Sequence, residues 1–245
     1  MWDTLPLAAL AGLVGAVAGS FCATAALRFA TGESPWGGRS RCDGCARTLG
    51  WAETVPFVGF VRSGGQCPAC HSPIDRMHLW GEGLGAIVAV TAIVTSPDTS
   101  GIILALVGLV LLVLGLADIR TYRLPDLGNA IVAALCALLA LLRHELIIGL
   151  IAAATTAVLL FILKVWLERR RGRTMLGTGD IKLIAALAVG LGAWTSYMIA
   201  GAAMFGLGAI IIRRMKGHDR LPFGPFIAAS GFGCLLLGGL MGAPV

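Results

Sequence analysis

The stretch GIILALVGLVLLVLGLAD, residues 101–118, holds no charged side chain until its final aspartate. A helix made of it would cross most of a hydrocarbon core roughly 30 Å thick. The next eight residues, IRTYRLPD at 119–126, turn basic at once and end on a second aspartate. An apolar run that stops abruptly at charge marks a membrane–water boundary, with Asp118 placed at it.

Working outward, the same pattern recurs at about 5–27, 79–96, 127–142, 146–167, 183–194, 196–212 and 223–242. Over the 245 residues 57% are apolar and 13% charged, whereas soluble domains hold roughly a quarter charged residues. Most of the surface must therefore face something other than water. The net charge of +6 comes with no basic stripe interleaved with aromatics, which excludes nucleic-acid binding. The N-terminus lacks a basic region ahead of its apolar run, which is longer than a signal-peptide core. Residues 5–27 are expected to be a first membrane helix, and no lipidation signal stands out.

Segments 183–194 and 196–212 are either one long helix or two. Basic residues collect in cytosolic loops. With eight helices and both termini outside, the cytosolic segments are 28–78, 118–126, 168–182 and 213–222. They take up Arg28, Arg39, Arg41, Arg47, Arg62, Arg76, Arg120, Arg123, Arg169, Arg170, Arg171, Arg173, Lys182, Arg213, Arg214, Lys216 and Arg220. Lys164 snorkels to the same side, so Arg143 alone of the 19 Lys and Arg residues lies outside. A fused helix would put Arg213, Arg214, Lys216 and Arg220 outside as well. The expected fold is an all-α polytopic membrane protein of about eight helices. It divides into a first helix over 1–29, a cytosolic loop domain over 30–78 and a seven-helix domain over 79–245. No internal repeat stands out.

The loop domain is too small to bury a core unaided. It contains Cys42-Asp-Gly-Cys45 and Cys67-Pro-Ala-Cys70, close to the spacing of a four-thiolate zinc site. Each tight turn aims two sulfurs at one metal, and a closed shell leaves no position for substrate, so this zinc is structural. The alternative is a pair of free or redox-active dithiols. His71 and His78 stand nearby, but four cysteines already fill the shell. Cys22, Cys136 and Cys234 lie in apolar helices as small buried groups.

Acidic side chains at membrane depth are costly and mark function. Glu82 lies a turn into the second helix, Asp118 at the end of the third, Asp126 just beyond it, and Asp180 ahead of the sixth in GTGDIKL, residues 177–183. Gly177 and Gly179 permit irregular backbone, tolerated at that depth where it lines protein or a wet cavity. Two carboxylates in a partly dry site share a proton. One then activates a water while the other polarises a carbonyl. The bland alternatives are ion pairs with Arg120, Arg123 or Lys182 at helix ends, an ion-pathway or transporter site, and a non-catalytic scaffold. Transport sites usually lie near the bilayer midplane on broken helices, unlike these aspartates.

Taken together, these residues resemble the type IV prepilin peptidases, membrane aspartyl proteases of the GxGD class. The resemblance runs from Gly19-Ser20-Phe21 through both cysteine pairs, Leu49-Gly50-Trp51, Pro56 and Glu82. It continues with Asp118, Leu124-Pro125-Asp126 and Gly177-Thr178-Gly179-Asp180-Ile181-Lys182-Leu183, and ends on Pro222-Phe223-Gly224-Pro225-Phe226. It implies an inner-membrane enzyme that removes the basic leader of prepilins and pseudopilins at its cytosolic face, with Asp118 and Asp180 as the catalytic pair. Asp126, Gly177, Gly179, Lys182 and Glu82 would support the site or bind substrate. It also implies that the new N-terminus is methylated with S-adenosylmethionine, the cysteine loop marking the two-activity forms. Cys22-Ala23 stands where the family usually has Leu-Asn, and Met77-His78-Leu79-Trp80 where Arg-Tyr-Pro is common. Both departures fall in the methyl-transfer half, so the resemblance supports cleavage more firmly than methylation.

Overall fold

The computed structural model describes residues 5–35, 37–172, 176–214 and 220–240, so Asp3, Arg173, Lys216 and residues 241–242 of the last expected helix lie outside the described residues. Each expected apolar segment holds one long helix: α1 (Leu5–Thr31), α3 (Arg76–Thr95), α4 (Thr99–Thr121), α5 (Asp126–Leu142), α6 (Leu146–Arg171), α7 (Thr178–Leu191), α8 (Thr195–Ile212) and α9 (Gly224–Leu240). A short α2 (Val58–Arg62) lies in the loop after α1. Among the described residues there is no strand, only two isolated β-bridges.

The helices extend past the apolar runs because polar residues cap them. The Asp75 carboxylate accepts from the Met77 N–H at 2.8 Å, and Asp98 accepts from Ser100 and Gly101 at 3.0 and 3.3 Å. Such caps satisfy otherwise orphaned first-turn donors. The soluble loop therefore runs from Gly32 to Asp75, shorter at both ends than expected. Asp118 lies inside the last turn of α4, Asp126 is the first residue of α5, and Asp180 sits in the first turn of α7 rather than ahead of it.

Residues 178–212 form two helices, separated by a 3-10 turn at Gly192–Trp194. Neighbour order gives their directions. Leu187 meets Gly231 and Gly190 meets Leu235, so α7 runs parallel to α9. Gly201 meets Ser230 and Gly206 meets Phe223, so α8 runs the other way. Gly192, at φ 51°, turns the chain where an L-side chain would be strained.

By length and apolar composition five stretches among the described residues would cross a membrane: Leu5–Thr31, Arg76–Thr95, Thr99–Thr121, Leu146–Arg170 and Thr178–Ile212, the last folded back on itself as α7 and α8. α5 and α9 are apolar but shorter. The outward faces of α1, α6 and α8 carry large aliphatic side chains, among them Leu13 (70% exposed), Ile147 (75%) and Met204 (73%). Water would penalise that much apolar surface, so the protein is a membrane protein whose helices meet lipid.

α1 and α3 pack antiparallel through small residues. A methyl group added at Gly19 would lie 2.1 Å from the Gly81 carbonyl oxygen, and one at Gly15 2.4 Å from that of Gly85. Contact this close needs residues without Cβ atoms and is typical of helices associating in lipid. α4 is the spine shared by two cores. One joins Leu104, Leu111 and Leu114 to Val132, Leu187, Ile227 and Leu235; the other joins Leu112 and Leu116 to Cys22, Ala26 and Met77. The alternating helices bring the end of α4 and the starts of α3, α5, α7 and α9 to one end of the bundle. Arg143 lies at the other, against Gly239 and near Ser96.

Candidate active site

The GxGD stretch is a helix start. Gly177 is the N-cap of α7, which makes Asp180 its third helical residue, the position from which an acidic side chain reaches back to cap the helix. The carboxylate is turned back toward the Gly177 backbone. A Cβ at Gly177 would sit 2.8 Å from Asp180 Oδ2, and one at Gly179 3.2 Å from Leu124 Cβ. The first glycine thus makes room for the carboxylate. The second lets the turn that leaves α4 approach.

Asp118 comes to the same place from α4. It is 5% exposed, and its Oδ2 accepts the Gly224 N–H at 2.8 Å. That donor belongs to the first turn of α9, whose unsatisfied N–H groups favour an anionic partner. Asp118 and Asp180 are near enough to interact electrostatically. Beyond Asp118 the chain turns at Tyr122, held at φ 54°, and Asp126 then opens α5. Lys182 Nζ donates to Asp126 Oδ1 at 2.7 Å, tying α7 to α5, but both side chains are largely exposed. Neither Arg120 nor Lys182 neutralises buried Asp118 or half-buried Asp180: Arg120 pairs with Asp75.

Glu82 is not part of this pair. It lies on α3 and faces α1, where Oε1 accepts the Ser20 hydroxyl at 3.0 Å. Its Oε2 accepts the Phe57 N–H from the loop at 2.8 Å.

The four cysteines converge. Their sulfurs all lie within 4.8 Å of one another, with Cys42 and Cys70 3.7 Å apart. A tetrahedron with zinc–sulfur bonds of about 2.3 Å has edges of about 3.8 Å, so the cluster fits zinc. The two turns are alike, a repeat that residue identities conceal. In each, the first cysteine N–H donates five residues ahead, Cys42 to Arg47 and Cys67 to Ser72, both at 2.9 Å. A residue at positive φ follows the second cysteine, Ala46 at 56° and His71 at 57°. An antiparallel bridge closes each turn, Arg41 with Thr48 and Gln66 with Pro73. The Ser72 hydroxyl, followed by the Cys45 and Gly44 backbone, draws the Cys42 thiol down to about 6. Arg47 clamps the fold, giving two hydrogen bonds to Glu53 at 3.1 and 2.7 Å.

Three features escape residue-by-residue reading. Ser20 and the Phe57 N–H hold Glu82 across distances of 62 and 25 residues. The third is Asn129 on α5, whose buried amide has no partner at either atom among the described residues; such a group usually holds an ordered water. No sequence signal distinguishes it from a polar residue in a helix.

Two family models match the chain in succession: the bacterial peptidase A24 N-terminal domain over residues 13–96 and the type IV leader peptidase family over residues 105–214. A prepilin leader peptidase/N-methyltransferase of Burkholderia pseudomallei (strain 1026b) is 34% identical over 212 residues, covering 82% of this chain and 67% of that protein. One from Bacillus subtilis (strain 168) is 30% identical over 237 residues and covers 92% of each chain. One from Aeromonas hydrophila is 29% identical, over 82% and 72%. No solved structure matches. The first model spans the cysteine loop between α1 and α3, the second the two helices that present Asp118 and Asp180, and with the Bacillus subtilis relative aligned over 92% of each chain the chain belongs to the type IV leader peptidase family.

Proposed function

We propose that the protein is a membrane aspartyl endopeptidase that removes the leader peptide of type IV prepilins and methylates the new N-terminus. Family membership and the names of its relatives support both activities. The observation that bears most on mechanism is that Asp118, bonded by the Gly224 N–H, and Asp180, turned back on Gly177, stand at one bundle end.

In this reading one carboxylate takes a proton from the attacking water while the other, protonated, hydrogen-bonds the scissile carbonyl. Asp126, Lys182 and the two glycines hold the helix starts around the pair. The prepilin's apolar helix lies in the bilayer against the bundle, which orients the scissile bond beside the dyad. The eight long helices would each cross the inner membrane, with both termini periplasmic and the dyad cytosolic, where the basic residues gather. The three-part division at 1–29, 30–78 and 79–245 belongs to the same reading, with the loop boundaries moved as described. Cys42, Cys45, Cys67 and Cys70 would hold a zinc ion that staples a loop without a core of its own. S-adenosylmethionine would supply the methyl group.

The test is mass spectrometry of a coexpressed prepilin with the wild type, Asp118→Asn and Asp180→Asn. The expected result is a leaderless, methylated product from the wild type and uncleaved substrate from both folded variants. Cleavage by either variant would remove that aspartate from the mechanism.

A further inference from the structure

A cavity of about 680 Å³ lies between α1, α3 and the cysteine loop, and neither catalytic aspartate lines it. Its volume is that of a site for a small organic ligand. Leu27, Leu49 and Phe60 supply apolar wall, and Glu82 and Ser20 also line it. Glu82 is 7% exposed and its hydrogen bonds come from neutral donors, Ser20 and the Phe57 N–H. Among the described residues no Lys, Arg or His forms an ion pair with it. Phe57, at φ 60°, is held in a conformation that costs on the order of 1–3 kcal/mol, and its N–H points at the carboxylate. The cavity's arginines are engaged elsewhere, Arg41 with Glu33, Arg120 with Asp75 and Arg28 with backbone carbonyls, so a buried carboxylate facing a ligand-sized cavity is left to a cationic ligand. Arg120 lines the same cavity two residues beyond Asp118 on α4. The chamber and the dyad thus share the last turn of one helix.

We propose that this cavity is the methyl-transfer chamber and that Glu82 receives the amine of the cleaved product beside a sulfonium methyl donor; this rests on the methyl-transfer reading above. The amine arrives as an ammonium and loses a proton to water. With an ordinary α-amino pKa of about 8 that loss is easy in water and harder beside a carboxylate, so it precedes seating against Glu82. The nitrogen lone pair attacks the methyl carbon, the carbon–sulfur bond breaks, and its electron pair goes to sulfur. The products are a methylated ammonium and a neutral thioether. Positive charge thus moves from sulfur to nitrogen. A carboxylate beside the nitrogen stabilises the transition state more than the ground state, and one beside the sulfur would do the opposite. This assigns the amine to Glu82 and the donor to the outer, loop side of the cavity.

The test uses the full-length protein in detergent with two variants. Leu49→Trp narrows the outer cavity from the soluble loop, and Glu82→Gln removes the charge while keeping the shape. Binding of radiolabelled S-adenosylhomocysteine is measured by equilibrium dialysis, and cleavage and methylation of a prepilin by mass spectrometry. Leu49→Trp should lose at least about tenfold in binding, in line with one blocked site, and lose methylation while still cleaving. Glu82→Gln should bind the probe within about threefold, cleave normally and methylate about a hundredfold more slowly, the usual scale for a lost charge-stabilising group. Wild-type probe affinity in Leu49→Trp would overturn the location, and wild-type methylation by Glu82→Gln would overturn the role of Glu82. If Glu82→Gln loses cleavage too, its fold is damaged and the Leu49→Trp binding result decides. A wild type that cleaves but neither binds the probe nor methylates would overturn the methyl-transfer reading itself, and the chamber with it.

Discussion

Replacing Gly224 with alanine leaves its N–H in place but adds a methyl group where Asp118 already is. The new Cβ would lie 2.9 Å from Asp118 Oδ2, 3.0 Å from its Cβ and 3.1 Å from its Cγ. Ordinary contact begins near 3.4 Å, so the carboxylate or the start of α9 must give by about half an ångström. Asp118 has little room to retreat, since Leu116 and Ala117 beside it are buried. A misplacement of 1 Å in an active site costs about a hundredfold in rate, so half of that should cost about tenfold, or about 1.4 kcal/mol in the barrier. Gly115→Ala is the control. It lies one turn earlier on α4 and its added methyl would sit 3.5 Å from Pro225 Cα, an ordinary contact. Purified variants would be compared for kcat, KM and thermal midpoint on a synthetic prepilin. Gly224→Ala should lower kcat about tenfold with KM and midpoint little changed, while Gly115→Ala should match the wild type. Wild-type kcat in Gly224→Ala, or an equal loss in both variants, would refute the idea that Gly224 positions Asp118.

The remaining expectations are simpler. Cys45→Ser should lower the zinc content measured by elemental analysis from one ion per chain and make the 32–75 loop sensitive to protease; protease resistance without metal would reject the staple. Thiols must shed protons to bind zinc, so affinity should weaken steadily as pH falls, because zinc must then displace a proton from more of the four ligands. An affinity that does not change with pH would argue against thiolate ligands. Gly19→Leu should push α1 from α3, because its Cβ would lie 2.1 Å from the Gly81 carbonyl oxygen and backbone cannot yield. Overpacking of this kind costs about 1–3 kcal/mol, readable as a lower thermal midpoint in detergent. An unchanged midpoint would mean that the two helices are not locked as described.

Much of this was legible in the sequence because membrane insertion leaves simple marks. A run such as 101–117 has few fates other than a buried or lipid-facing helix, and the placement of Lys and Arg separated α7 from α8 before any neighbour was known. Asp118, Asp180 and the four cysteines were recognisable because each belongs to a short local pattern. Helix ends were read less well, since the apolar count stops where lipid stops while hydrogen bonding continues to the cap. That is why Asp180 lies inside α7 rather than ahead of it. The likeness of the two cysteine turns was also hidden, because it resides in backbone bonds and positive φ angles rather than in residue identities.

What the sequence determined by itself is the helical membrane class, the order of the segments and the chemical groups available. Only the tertiary structure decided which groups meet. The Asp118–Gly224 bond spans 106 residues and the Ser20–Glu82 bond spans 62. No local pattern encodes such pairings. They follow from how close two backbones approach, and that is set by glycines packed against partners from distant parts of the chain.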